Sequence, residues 1–182
     1  GEILRLARRE RRVDRPKVFA ICDVSGSVAQ YARFMLMFLY SVEEVLPGVR
    51  AFAFSSHLGE VTDLFHRKGI DDAITETLRE HAGGSTDYGQ AFADFSELAL
   101  SDVDNRSTII ILGDGRNNYG DPRTDLLKTL HDRSRRLIWL NPEPPTTWGT
   151  GDSEIKRYRA YASQVDVCNS LVHLERVVSS IL

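Results

Sequence analysis

Asp23, Ser25 and Ser27 put three oxygen-bearing side chains into five residues, Asp23-Val24-Ser25-Gly26-Ser27. A helix start needs one such residue as a cap, and the D-x-S-x-S alternation supplies more than capping uses. Three converging oxygens suit a hard divalent cation, which takes a near-octahedral oxygen shell. Two further candidates lie far along the chain. Asp114 stands in Leu112-Gly113-Asp114-Gly115, where glycines permit close backbone approach. Thr86 stands in the loop Gly83-Gly84-Ser85-Thr86-Asp87. Together the five give two carboxylates, three hydroxyls and no soft donor. That set balances a divalent charge and favours Mg²⁺, with Mn²⁺ as the alternative, over zinc or copper. A coordination position left open would take a carboxylate from a partner. Each residue also has a plain structural role: Ser25 and Ser27 could cap one helix, Thr86 or Asp87 the next, and Asp114 could bond its own turn.

Bringing distant segments to one place is the task of the elements around them. Lys17–Val24 is apolar without alternation, as a strand covered on both faces requires. Val28–Leu46 reads as a helix stopped by Pro47-Gly48. Val49–Ser55 and Gly59–Phe65 read as strands joined by a turn too short for a crossover, hence an antiparallel pair at a sheet edge. Helices are expected over Ile70–His81, Tyr88–Leu100, Thr124–Arg136, Glu154–Ala162 and Leu171–Ile181, and strands over Ser107–Leu112, Leu137–Leu140 and Val165–Cys168. This rhythm predicts an α/β fold: a Rossmann-like, doubly wound, mostly parallel six-stranded sheet with one antiparallel edge strand and helices on both faces. Ligands of such sheets bind beyond the carboxyl ends of the strands, where strand order reverses. The turn at 23–27, the loop at 113–118 and the long Pro/Gly-rich loop Asn141–Ser153 all follow strands.

Composition sets the outer limits. The 182 residues are 42% apolar and 27% charged, which suits a full core and excludes global disorder. The net charge of −3 argues against a domain-wide nucleic-acid surface. Residues 1–17 hold seven basic and three acidic residues, a net of +4, so the remainder carries −7. Residues 1–16 therefore read as a basic linker or the end of a preceding region, and 17–182 as one domain. The opening lacks the apolar core of a secretion leader. The most apolar stretch, Phe34–Tyr40, is too short to span a bilayer. Cys22 and Cys168 form no C-x-x-C pair and read as buried thiols of a reducing, cytoplasmic compartment.

D-x-S-x-S, then a glycine-rich T-D, then an isolated Asp in G-D-G after an Ile-rich strand resembles the von Willebrand factor A (VWA) domain over roughly residues 16–182. The resemblance implies a metal-ion-dependent adhesion site (MIDAS) in which Ser25, Ser27 and Thr86 contact the metal. Asp23 and Asp114 would stand near it or reach it through water. Ser85 intervenes after Gly84, and Thr86 is matched because Asp87-Tyr88-Gly89 follows it. The tail, Leu140-Asn141-Pro142-Glu143-Pro144, Trp148, Gly151-Asp152-Ser153 and Tyr158, is similar to the bacterial CoxE-like VWA proteins. That likeness implies an accessory protein working beside a MoxR-type AAA+ ATPase, including in assembly of the metal centre of carbon monoxide dehydrogenase. The reading is then a non-enzymatic, Mg²⁺-dependent protein-binding module. Its partner would supply an Asp or Glu to the metal.

Two rivals remain: a Mg²⁺-dependent phosphotransferase or phosphatase using Asp23, and a scaffold whose metal is only structural. No G-x-S-x-G or P-loop occurs, and the five histidines are dispersed. Asn117 and Trp148 are candidates for the partner-facing rim. Asn117 could instead shape a turn, and Trp148 could pack on the last helix.

Overall fold

The computed structural model describes residues 17–46 and 48–181, with the backbone alone at Ser27, Ala29 and Gln30. The basic segment 1–16 and the Ser27 side chain lie outside the described residues. Six strands form one sheet: β1 (Lys17–Asp23), β2 (Arg50–Phe54), β3 (Leu58–Glu60), β4 (Ser107–Leu112), β5 (Arg136–Asn141) and β6 (Gln164–Val167). Their spatial order is β3-β2-β1-β4-β5-β6. All neighbours are parallel except β2 and β3. The helices are α1 (Ala29–Val45), α2 (Thr62–Arg67), α3 (Ile70–His81), α4 (Tyr88–Ala99), α5 (Thr124–Arg133), α6 (Ile155–Tyr158) and α7 (Leu171–Ile181).

The unbroken apolar strands follow from this layering. Every residue of β4 is buried, and its side chains alternate between two cores. Ile110 and Leu112 join Ala20, Cys22, Met35, Leu36, Ile74 and Leu174 on one face. Ile109 and Ile111 join Phe19, Phe92, Phe95, Leu127, Trp139 and Tyr158 on the other. Helices α1, α2, α3 and α7 cover the first face, and α4, α5 and α6 the second. Because β1 continues to β2 on one side and pairs with β4 on the other, strand order reverses between them. The crevice beyond the ends of β1 and β4 is the switch point.

Two expectations are corrected. The strand expected over Gly59–Phe65 stops at Glu60, and Thr62–Arg67 is helical. Val61, Leu64 and Phe65 have the i, i+3, i+4 spacing of a helical stripe, and all three are buried against the first core. The Thr62 hydroxyl accepts the Ala51 N–H at 2.9 Å, taking a β2 donor that a longer β3 would have used. The helix expected over Glu154–Ala162 is α6 followed by a 3₁₀ turn at Arg159–Tyr161. Both cysteines are free and buried. Among the described residues no helix is long and apolar enough to cross a membrane.

Phe95 meets Phe19 and Phe52 edge-to-face, at 5.9 and 5.0 Å between ring centroids. Phe95→Ala should cost about 3–5 kcal/mol in urea unfolding. A loss below about 1 kcal/mol would show that the second core closes over the cavity.

Candidate metal centre

The candidate residues are carried by the loops that leave β1 and β4 and by the glycine-rich loop entering α4. Asp23 ends β1 and is 0% exposed, as is Ser25, while Asp114 is 1% exposed. The Asp23 Oδ1 accepts the Ser25 N–H at 2.9 Å, folding the turn back on its own carboxylate. Val24 N–H donates to Phe54 O at 2.9 Å, which ties that turn to the end of β2.

The second oxygen of Asp23 leads to a residue that motif reasoning missed. The Tyr88 hydroxyl, at the first position of α4, donates to Asp23 Oδ2 at 2.7 Å and accepts the Gly115 N–H at 3.1 Å. One phenol oxygen therefore joins three segments: the β1 turn, the entrance of α4 and the loop holding Asp114. The ring is fully buried among Phe54, Phe92, Trp139 and Tyr158. Gly113 makes the approach feasible, since a Cβ there would stand 2.0 Å from the Tyr88 hydroxyl and 2.8 Å from Asp23 Cβ. The sequence signal was available: a tyrosine directly after the Thr-Asp pair, at a helix start.

Burial and the neighbouring charge of Asp114 raise the Asp23 carboxyl to about 7, against the downward pull of its bonds from Ser25 and Tyr88. Burial and the same two carboxylates push the Tyr88 phenol well above its ordinary value, so it stays a donor. Arg116 offers its backbone N–H to Asp114 Oδ1 at 2.9 Å. Its guanidinium is committed elsewhere, to Glu143 at 3.0 Å and Asp152 at 3.2 Å.

Thr86 is half-buried, and its hydroxyl makes no hydrogen bond among the described residues. Ser85 is exposed and accepts from Asn118 Nδ2 at 3.0 Å, which leaves Thr86 as the uncommitted hydroxyl of the pair. Asp87 caps α4 by accepting the Gln90 N–H at 2.9 Å. The Asp87 N–H donates to Ser55 O at 3.0 Å, and a Cβ on Gly84 would stand 2.8 Å from Ser55 Oγ. The glycine-rich loop is thus pressed onto the end of β2.

Asn117 belongs to the frame and not to an exposed rim. It is 1% exposed, its Oδ1 accepts the Tyr88 N–H at 2.6 Å, and its Nδ2 donates to Gly120 O at 3.1 Å. Trp148 is half-buried and donates from its indole to Glu143 O at 2.9 Å. It packs with the second core, on the opposite side of the sheet from α7 and not on that last helix. The loop expected to be irregular over Asn141–Ser153 is stitched down. Arg116 pairs with Ser153 as an isolated bridge, and Glu154 N–H donates to Gly115 O at 2.8 Å.

The donor set is hard oxygen throughout, and it contains two buried carboxylates whose mutual repulsion a cation would relieve. The residues therefore fit a divalent ion. Among the described residues no group of three or more His, Cys, Asp or Glu side chains could hold a metal.

A family model described as a VWA domain containing CoxE-like protein matches residues 1–177. No curated protein matches the chain. Solved structures share the fold at low identity. A von Willebrand factor type A protein from Catenulispora acidiphila is 17% identical with a TM-score of 0.61, over 91% of this chain and 42% of that one. BatB from Bacteroides thetaiotaomicron is 15% identical with a TM-score of 0.63, over 91% of this chain and 97% of that one. The mussel byssus proximal thread matrix protein 1, with a zinc-occupied MIDAS motif, is 18% identical with a TM-score of 0.61, over 92% of this chain and 47% of that one. The chain thus spans less than half of the first and third of these proteins.

In metal-free protein the raised Asp23 makes the folded state bind a proton between about pH 4, the unfolded value, and about 7. That contribution to stability is complete below the unfolded value and is lost as pH rises through about 7. With chelator present, the melting temperature should fall between about pH 5 and pH 8. Asp23→Asn should flatten the fall and raise the melting temperature at pH 8 by about 2–4 °C. A lowered value in scanning calorimetry would mean that the negative charge is well solvated in its frame.

Proposed function

We propose, from the premise that this chain belongs to the family of VWA-domain-containing CoxE-like proteins, that the switch-point edge is a Mg²⁺-dependent docking site for another protein, with Mn²⁺ as the alternative ion. The observation that carries this reading is the buried carboxylate pair Asp23 and Asp114, whose mutual repulsion raises Asp23 and would be relieved by a divalent cation. Ser25, Ser27 and Thr86 would hold the ion directly, with Asp23 and Asp114 beside it as charge balance. The bound ion would supply an electrophilic coordination position to an Asp or Glu of the partner. The chain's own part is to exclude water from the carboxylates, hold them rigidly through Tyr88, and leave the Thr86 hydroxyl uncommitted.

Asp23 as a phosphoryl acceptor is the weaker reading. Both its oxygens accept hydrogen bonds within the fold, and it has no exposure from which to attack an incoming phosphate. A MoxR-type AAA+ ATPase as partner and a role in assembling a metalloenzyme rest on the CoxE-like likeness of the tail, and a cytoplasmic setting on Cys22 and Cys168 as buried thiols. The division into a basic lead-in over 1–16 and a domain over 17–182 rests on the charge of the opening segment. Zinc is described at the MIDAS of the mussel protein, and it is an informative competitor here.

Mg²⁺ at about 100 times its dissociation constant should stabilise the protein by about 2.7 kcal/mol. Asp23→Asn should abolish that gain. Thr86→Ala should weaken Mg²⁺ binding about tenfold in titration calorimetry while changing metal-free stability by less than about 1 kcal/mol. Equal losses of both would assign Thr86 to the helix entrance alone. A purified MoxR-type ATPase encoded beside this chain should bind it in Mg²⁺ and not in EDTA. Binding unaffected by EDTA would remove the metal from the interaction, and Mg²⁺-dependent phosphate release from a phosphorylated Asp23 would establish the enzymatic reading.

A further inference from the structure

The sheet ends differently on its two sides. At one edge β3 is short and covered. The Leu58 N–H donates to Asp94 at 2.9 Å, and the His81 ring lies over Gly59 so closely that a Cβ there would stand 2.5 Å from it. At the other edge β6 has β5 on one side only. All four residues of β6 are partly exposed, and among the described residues no backbone group of Gln164–Val167 bonds outside the sheet ladder. An open edge is a template for another strand unless proline, charge or cover blunts it. β6 carries no proline and one charge, Asp166, to which the Gln164 amide donates.

Two grooves flank this strand, one on each face of the sheet. Val165 and Val167 lie beside Trp139 and Asn141, on the face covered by α4, α5 and α6. With Trp148 and Ile155 they floor a groove of about 420 Å³ whose rim bears Lys156 and Arg159. Gln164 and Asp166 lie beside Ile138 and Leu140, on the α7 face, and border a second groove of about 210 Å³ with Val177 and Arg176. Lys156, Arg159 and Arg176 are exposed and make no ion pair among the described residues. The stem of Lys156 packs over Gly149, which keeps its ammonium at the rim. Three uncommitted cations thus face one acid around an open strand edge.

We infer that β6 docks an extended segment of a partner protein in which acidic and apolar residues alternate. The backbone of such a segment continues the ladder. Its alternate side chains fall to opposite faces of the sheet, apolar ones into the groove floored by Trp148, Ile155, Val165 and Val167. Its carboxylates fall on the α7 face beside Arg176, and Lys156 and Arg159 at the rim of the other groove add to the positive field along the edge. This chain's own residues 1–16 are a poor occupant, since six arginines against three acids would face the same cations. A second copy paired edge to edge through a two-fold axis would likewise set like charges together. The docking needs neither Asp23 nor a cation.

The test uses fluorescent ten-residue peptides alternating Glu with Val, Ile or Phe, the same peptides with Lys for Glu, and the acidic ones N-methylated at alternate residues. Anisotropy should show the acidic peptides binding about tenfold tighter than the lysine set, with the preference removed in a Lys156→Glu/Arg159→Glu/Arg176→Glu variant of unchanged melting temperature. Amides of Gln164–Val167 should gain hydrogen-exchange protection, and N-methylation should abolish binding. Affinity should be the same in EDTA and in Asp23→Asn, so failure of the metal reading leaves this result intact. Equal affinity for both charge sets, protection elsewhere, or loss of binding in EDTA would overturn the inference. So would light scattering that shows a dimer excluding the peptides.

Discussion

A single phenol oxygen sets the geometry of the switch point. Tyr88 donates to Asp23 and accepts from Gly115, so the ends of β1 and β4 and the start of α4 cannot shift independently. The bond pulls the Asp23 carboxyl down, but burial and Asp114 outweigh it and raise the group to about 7. Several sequence choices follow from that constraint. Gly113 must lack a side chain, and the aromatic cluster of Phe92, Trp139 and Tyr158 must hold the Tyr88 ring in place. The Asn117 amide then accepts the first N–H of α4, fixing that helix from the opposite loop.

A second network anchors what surrounds this knot. Arg116 reaches Glu143, Asp152 and the Thr150 carbonyl from one partly buried guanidinium. Fork-shaped donors suit such multiple recognition better than a point charge does. The long loop after β5 is therefore part of the frame and presents Trp148 in a defined place. Next to it, Asn118 and Tyr119 sit at φ of 51° and 57°, a conformation costly for residues with side chains. Asn118 is held there by Asp152 and Ser85, and Tyr119 is left 81% exposed above the loop. The strained backbone and the exposed ring thus lie in the same loop as Asp114 and Arg116.

The two sheet edges show how one architecture separates protection from availability. Arg50 links Glu60 and Asp102 and stacks its guanidinium near Phe19 and Phe52 at the β3 side, where charge, helix and ring close the edge. Nothing comparable covers β6 among the described residues.

Periodicity made much of the molecule legible. The runs at Lys17–Val24 and Ser107–Leu112 lack alternation because helices cover both faces, and the six strands with one antiparallel edge follow from that rhythm and from a turn of only three residues, 55–57, between β2 and β3. Position in the chain also sufficed to bring Asp23, Ser25 and Asp114 to one edge, because loops that follow parallel strands emerge on the same side, whereas the Thr86 loop follows a helix and is brought there by the bond of Asp87 N–H to Ser55 O. Three things were decided only by tertiary contact. Val61–Phe65 reads equally as strand or helical stripe, and the core beneath it chose the helix. Asn117 has the composition of a rim residue, yet burial turned it into a cap for a helix 29 residues away. Tyr88 follows directly on the Thr86-Asp87 pair, which marks its place in the sequence but not its partner. Its role exists because folding brings its hydroxyl within bonding distance of Asp23, 65 residues distant in sequence, and such long-range pairings leave no periodic trace for local patterning to register.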